Sequence, residues 1–155
     1  MRMVRLFRRG NKGFTLLELV ITAGILIFAL CGLLASYVAC LELNETTKNS
    51  NLALNAAMAV LEEIRSTPFL SIFSNYNGYT FQVAGMPANS SLGQTFIDNT
   101  NPGLLNVTIG VCWRQKSSKI IGECQISGGV VTFSDANENG ILDSPVELTT
   151  LMAQR

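Results

Sequence analysis

Residues able to do chemistry in this 155-residue chain fall at three places. Glu18 is a single carboxylate at the rim of a long apolar run. Cys112 and Cys124 are two cysteines in the polar half. Asp135, Asn137, Asn139, Ile141 and Asp143 are alternate positions of the segment Asp135-Ala136-Asn137-Glu138-Asn139-Gly140-Ile141-Leu142-Asp143. Histidine is absent, which removes the commonest general base and metal ligand. Ser-His-Asp and Cys-His catalysis are therefore excluded. No other nucleophile and base stand at motif spacing, so no catalytic residue is assigned and no enzyme is expected.

Glu18 carries the sharpest signal. Residues 19–41 are 23 positions without a charge, about 35 Å of helix at about 1.5 Å per residue, enough to cross a hydrocarbon core of about 30 Å. A carboxylate inside such a segment costs on the order of 2.5 to 3.5 kcal/mol on insertion scales, so it needs a reason to be there. Five positive charges (Arg2, Arg5, Arg8, Arg9, Lys12) and no acid precede it, which holds that end in the cytoplasm. The run is too long for a secretory signal. Tyr37-Val38-Ala39-Cys40 loosely matches a lipidation box, but Tyr37 fits poorly there. A plain anchor explains the length and the basic flank but not the carboxylate. Snorkelling to the headgroups is the bland account of Glu18; a positive partner from a neighbouring chain is the specific one.

The Asp135–Asp143 segment has two readings. Oxygen-bearing side chains at alternate positions followed by Gly140 match the first half of a calcium loop, with Asp135, Asn137, Asn139 and Asp143 supplying side-chain oxygens and Ile141 a carbonyl. The twelfth position is Val146, and Glu147 comes one residue late, so the full pattern fails. The other reading is an Asx-rich turn that spends the same oxygens on its own backbone.

Cys31 and Cys40 lie nine residues apart within the apolar run, on opposite faces of a helix, and read as small packing residues. Cys112 and Cys124 fit a hairpin closed around residues 115–119, in a register that sets 112 directly across from 124. Their bridge closes a 13-residue ring and implies an oxidising compartment; two free thiols are the alternative. Three Asn-x-Ser/Thr sequons (Asn44, Asn89, Asn106) read as chance matches in an Asn-rich chain.

The elements that position these groups follow from periodicity. Helical character continues past Glu42, where Leu54, Ala57, Met58, Leu61 and Ile64 form one amphipathic stripe, until Pro68 stops it. Beyond it, Tyr79, Phe81 and Val83 alternate, and so do Leu105, Val107, Ile109, Val111 and Trp113. With residues 120–126 and 130–133 they predict a sheet of three or four antiparallel strands, and residues 85–103 read as a long loop. The fold class is α+β: a long amino-terminal helix, then a small β-rich head. After residue 13, six basic and eleven acidic side chains remain, net −5, which argues against nucleic acid or anionic lipid as the main partner of that part.

Gly13-Phe14-Thr15-Leu16-Leu17-Glu18, after a basic leader and before an apolar run, resembles the type IV filament family: type IV pilins and the pseudopilins of type II secretion. The resemblance implies residues 1–13 as a cleaved leader, 14–41 as the transmembrane and assembly half of a helix, 42–66 as its amphipathic half and 67–155 as a periplasmic head. It implies a prepilin peptidase that cuts between Gly13 and Phe14 and methylates Phe14. Assembly then runs through Glu18, with other pilins and an inner-membrane platform as partners. The Ala-rich run ending Glu62-Glu63-Ile64-Arg65, and the lack of a proline before Pro68, make it most like a minor pilin or minor pseudopilin with a priming or tip role. Two rivals stand beside this: a type II secretion pseudopilin driving protein export, and a membrane-tethered protein whose head binds calcium or a surface.

Overall fold

The computed structural model describes residues 13–101 and 103–154. The basic leader cations Arg2, Arg5, Arg8, Arg9 and Lys12 lie outside the described residues. The architecture is α+β. Its first element, α1, runs from Leu16 to Ser66 as one helix of 51 residues, long and apolar enough in its first half to cross a membrane. Thr15 starts it: its hydroxyl accepts a hydrogen bond from the Glu18 N–H at 3.3 Å, satisfying one of the orphan donors of a helix start. Ser66 and Thr67 end it, each donating a hydroxyl hydrogen bond to the Glu63 carbonyl, at 2.8 and 3.0 Å. Pro68 follows and cannot continue the ladder.

The chain divides into two units, one through Glu42 and one from Leu43 onward. In the first, every described side chain is exposed. Two of its hydroxyls are satisfied on its own backbone: Thr22 donates to the Glu18 carbonyl at 2.9 Å, and Ser36 to the Gly32 carbonyl at 3.0 Å. Such back-bonding lets hydroxyls sit in an apolar surrounding without an unpaired donor.

The second unit has a core of its own. Ala53, Ala57, Val60, Leu61 and Ile64 of α1 are buried against the inward side chains of an antiparallel sheet. That corrects the predicted stripe: Met58 is exposed, and Ala53 and Val60 take the inner face. Ala53 and Ala57, small as they are, are as fully buried as Ile64 on this inner face.

From Phe69, where strands were expected, a second helix α2 (Phe69–Tyr76) forms with Pro68 at its N-cap. Ile72 is its buried residue, and Phe69 and Tyr76 pack on the core. Positions 69, 72, 73 and 76 already carry the helical spacing. The Tyr76 hydroxyl donates to Glu63 Oε1 at 2.9 Å, tying α2 back to the end of α1.

The main sheet has five strands: β1 (Thr80–Phe81), β2 (Ser91–Asn101), β3 (Leu104–Arg114), β4 (Ile120–Ile121) and β7 (Glu147–Ala153). Strand β3 is central, pairing β2 on one side and both β4 and β7 on the other. A separate two-stranded ribbon joins β5 (Cys124–Ser127) to β6 (Val130–Phe133). Leu105, Val107, Ile109, Val111 and Trp113 all point into the core, as their alternation requires.

Two expectations are overturned here. Residues 91–101, assigned to a loop, are a full strand. Its inward positions are Ser91, Gly93, Thr95 and Ile97, which hide the apolar period. The small size of Gly93 is needed: a Cβ there would lie 2.2 Å from the Phe81 ring, and the Thr95 hydroxyl donates to the Tyr76 carbonyl. Residues 120–126, expected as one strand, are split between β4 and β5 in different sheets. The sheet is therefore larger than the three or four strands predicted, and β7 was not foreseen.

Candidate functional site

Glu18 sits in the first turn of α1, where a carboxylate is favoured by the positive end of the helix dipole. Thr15-Leu16-Leu17-Glu18 has the Thr-x-x-Glu form of a capping box, a signal the sequence reading did not use. Only half of the box is made among the described residues, the Glu18 N–H to the Thr15 hydroxyl. The Glu18 carboxylate itself has no partner among them and is exposed. Around it Phe14, Leu16, Leu17, Leu19, Val20 and Ile21 are all at least half exposed. Gly13 and Phe14, the scissile pair implied by the resemblance, precede the helix in irregular backbone, and a Cβ on Gly13 would meet nothing within 4 Å among the described residues.

Cys112 and Cys124 form a disulfide, their Cα atoms 6.3 Å apart. The register differs from the one predicted. Trp113 pairs with Ile121 and Arg114 with Ile120, so Gly122, not Cys124, stands beside Cys112; a Cβ there would meet that of Cys112 at 2.7 Å. Cys124 lies two residues on, at the start of β5. The bond therefore fastens the two-stranded ribbon to the central strand of the main sheet. Cys112, Val131 and Leu142 make a second small core on the sheet face away from α1, with Leu92, Cys124 and Phe133 around it. Cys31 and Cys40 remain free and exposed.

The 134–146 segment closes over that same face. Its Leu142 carbonyl lies where a Cβ of residue 110 would be, 2.1 Å away, so position 110 must be glycine. The acidic residues gather in one turn. Asp135 Oδ1 accepts from the Asn139 N–H at 3.0 Å and Oδ2 from the Gly140 N–H at 2.7 Å. Asn137 Oδ1 accepts from the Asn139 N–H at 3.2 Å, and Asn139 Oδ1 from the Ile141 N–H at 2.7 Å. The Asn137 amide donates to Asp143 Oδ2 at 2.7 Å.

Glu123 braces the turn. Its Oε1 accepts from the Ala136 N–H at 2.8 Å, and its own N–H donates to the Asp143 carbonyl at 2.8 Å. Its second oxygen, Oε2, is buried without a hydrogen bond. Each side chain named for a calcium loop thus already accepts, through at least one oxygen, a hydrogen bond that shapes the turn. Among the described residues no three acidic, cysteine or histidine side chains are gathered closely enough to hold a metal ion. Glu147, the residue considered for completing a cation shell, is exposed on β7 and accepts from the Thr149 hydroxyl at 3.3 Å.

Glu62 and Arg65 make an i, i+3 ion pair at 2.5 Å, both half exposed or more, a solvated helix-surface contact of small worth. A shallow pocket of about 260 Å³ lies between α2 and the β2–β3 end, lined by Phe69, Leu70, Phe73, Asn99, Asn101 and Leu105. It is walled by apolar side chains and two amides, with no acid or base to activate a substrate.

No family model, no curated protein and no solved structure matches this chain. What stands is the architecture, which is pilin-like: a long apolar amino-terminal helix followed by a small disulfide-bonded antiparallel head.

Proposed function

We propose that this chain is a non-enzymatic minor subunit of a type IV pilus-type filament. It waits in the inner membrane with its basic leader in the cytoplasm and its head in the periplasm. A prepilin peptidase cuts between Gly13 and Phe14 and methylates the new amino terminus. The subunit then joins its neighbours through the apolar half of α1. One observation supports this above the others: among the described residues, Glu18 is a carboxylate without a partner, in the first turn of a helix whose next 24 residues are all exposed. The unit from Leu43 onward, by contrast, buries a core of its own, to which the second half of α1 contributes. A helix that is apolar and exposed all round is at rest only in lipid or against other helices.

In the filament, the ammonium of a neighbour's first residue meets Glu18 and sets the axial register of the two helices. Removing one partner of a buried pair costs about 3 to 5 kcal/mol, more than a hundredfold in an assembly equilibrium. Glu18→Ala should therefore leave membrane insertion and cleavage intact and abolish incorporation into filaments. The check is mass spectrometry of sheared surface filaments, with Phe14 as first residue in the wild-type chain. Normal incorporation of Glu18→Ala would remove the role given to the carboxylate.

A further inference from the structure

The main sheet has two edges, and the chain treats them differently. On one side, the flank of β2 beyond the short β1 is closed by the chain that precedes it. The Thr95 N–H donates to the Tyr79 carbonyl at 3.0 Å, and the Thr95 carbonyl accepts from the Gly78 N–H at 2.9 Å. The Ile97 N–H donates to Asn77 Oδ1 at 3.0 Å. On the other side lies β7, with β4 following it along the same flank of β3, entered through the tight turn at Lys116.

The flank of β7 that faces away from β3 is open. The Val111 N–H donates to the Val146 carbonyl at 3.1 Å, and the Gln154 N–H to the Gly103 carbonyl at 3.2 Å. Those bonds share one alternation with the pairs Ile109–Leu148, Val107–Thr150 and Leu105–Met152. Glu147, Thr149, Leu151 and Ala153 therefore turn their N–H and C=O groups outward. Among the described residues no backbone or side-chain group bonds to them. No lysine, proline or bulge interrupts the strand, the devices that blunt an exposed edge. Leu151 stands on it 65% exposed.

Charge and symmetry select the strand that fits there. Glu147 is the one charge of β7. Two copies paired in parallel and in register would set these acids about 5 Å apart. Paired antiparallel and centred on Thr150, they stand about 20 Å apart at about 3.4 Å per residue, well beyond a Debye length of about 8 Å. In that register outward residues meet outward residues, Thr149 across from Leu151 of the second copy and Glu147 across from its Ala153, each pair exchanging both its bonds. The two Leu151 side chains become diagonal neighbours, within reach of each other.

We infer that two copies of this chain join edge to edge through β7, antiparallel about a two-fold axis at Thr150, into one continuous sheet. Such a contact uses the same patch on both copies and closes on itself. It links a pair of subunits instead of extending a filament, and it is independent of the role given to Glu18.

The test uses the full chain in detergent, in a Cys31→Ala, Cys40→Ala background that leaves the Cys112–Cys124 disulfide intact. Thr150→Cys puts a thiol at the axis, in a pair whose Cα atoms lie about 4.5 Å apart, within disulfide reach. Mild oxidation should give a cross-linked dimer on a non-reducing gel. Glu147→Cys, with its two copies about 20 Å apart in this register, should remain monomeric. Adding Leu151→Lys to Thr150→Cys sets a charge on the open edge and should slow cross-linking about tenfold, with Trp113 fluorescence verifying that the head stays folded. Failure of Thr150→Cys to cross-link overturns the inference and leaves the edge to a strand of another protein. Equal cross-linking of Glu147→Cys overturns it by placing the contact elsewhere, the apolar helix included. Cross-linking that Leu151→Lys leaves unchanged overturns it as well.

Discussion

The two units of this chain solve the burial of apolar surface in opposite ways. From Leu43 onward, side chains from α1, α2 and the sheet enclose one another, down to full burial of Trp113, Ile64 and Ile109. Through Glu42, the same helix leaves Ile25, Leu26, Ile27, Phe28 and Leu33 at least half exposed. At about 25 cal/mol per Å² of apolar surface, leaving that helix in water is costly. The chain is finished at one end and waits for its surroundings at the other.

The largest test sets two isoleucines against each other. Ile64→Ala should destabilise the head by about 2 to 5 kcal/mol, as a truncation in a closed core does. Ile27→Ala should leave head stability unchanged and act only on insertion or assembly. Denaturant unfolding of both variants in detergent, followed by Trp113 fluorescence, separates them; equal losses would erase the distinction between the units. Next comes the bridge. Cys112→Ser with Cys124→Ser should cost about 3 kcal/mol on the loop-entropy account of a 13-residue ring, and loosen the β5–β6 ribbon before the main sheet. Hydrogen exchange across residues 124–133 measures that order.

Smaller again, Asp135→Ala removes a carboxylate that accepts two N–H bonds and should cost about 2 kcal/mol. The loss should be the same in calcium and in chelator, because the turn is shaped by its own hydrogen bonds. A melting temperature that rises with calcium in the wild type and not in Asp135→Ala would reassign the turn as an ion site. Smallest of all, Glu62→Gln should cost under about 1 kcal/mol, as exposed ion pairs do. A larger loss would mean that this face of α1 is less solvated than its exposure indicates.

Much of this was legible in the residues, for reasons that differ by element. Strand β3 could be read because five large apolar side chains repeat at a period of two. Strand β2 could not, because three of its four inward positions are Ser91, Gly93 and Thr95, with Phe81 filling the space over Gly93 and the Tyr76 carbonyl taking the Thr95 hydroxyl. Helix α2 was obscured by its shortness and by a change of pattern just after Pro68. The pairing of Cys112 with Cys124 was legible but its geometry was not. The bond runs from one sheet to another, and no hairpin register foretells that. At the amino terminus the capping role of Thr15 was present in the spacing and was overshadowed by the cost of the carboxylate.

The pairing of β7 with β3 has a practical side. Ala153 lies across from Leu104, at the opposite end of β3 from the Lys116 turn. A fluorophore placed at Gln154 would therefore ride roughly 35 Å from that turn, the reach of an eleven-residue strand. Read against a lipid-borne acceptor, such a probe is a ruler for how upright the subunit stands.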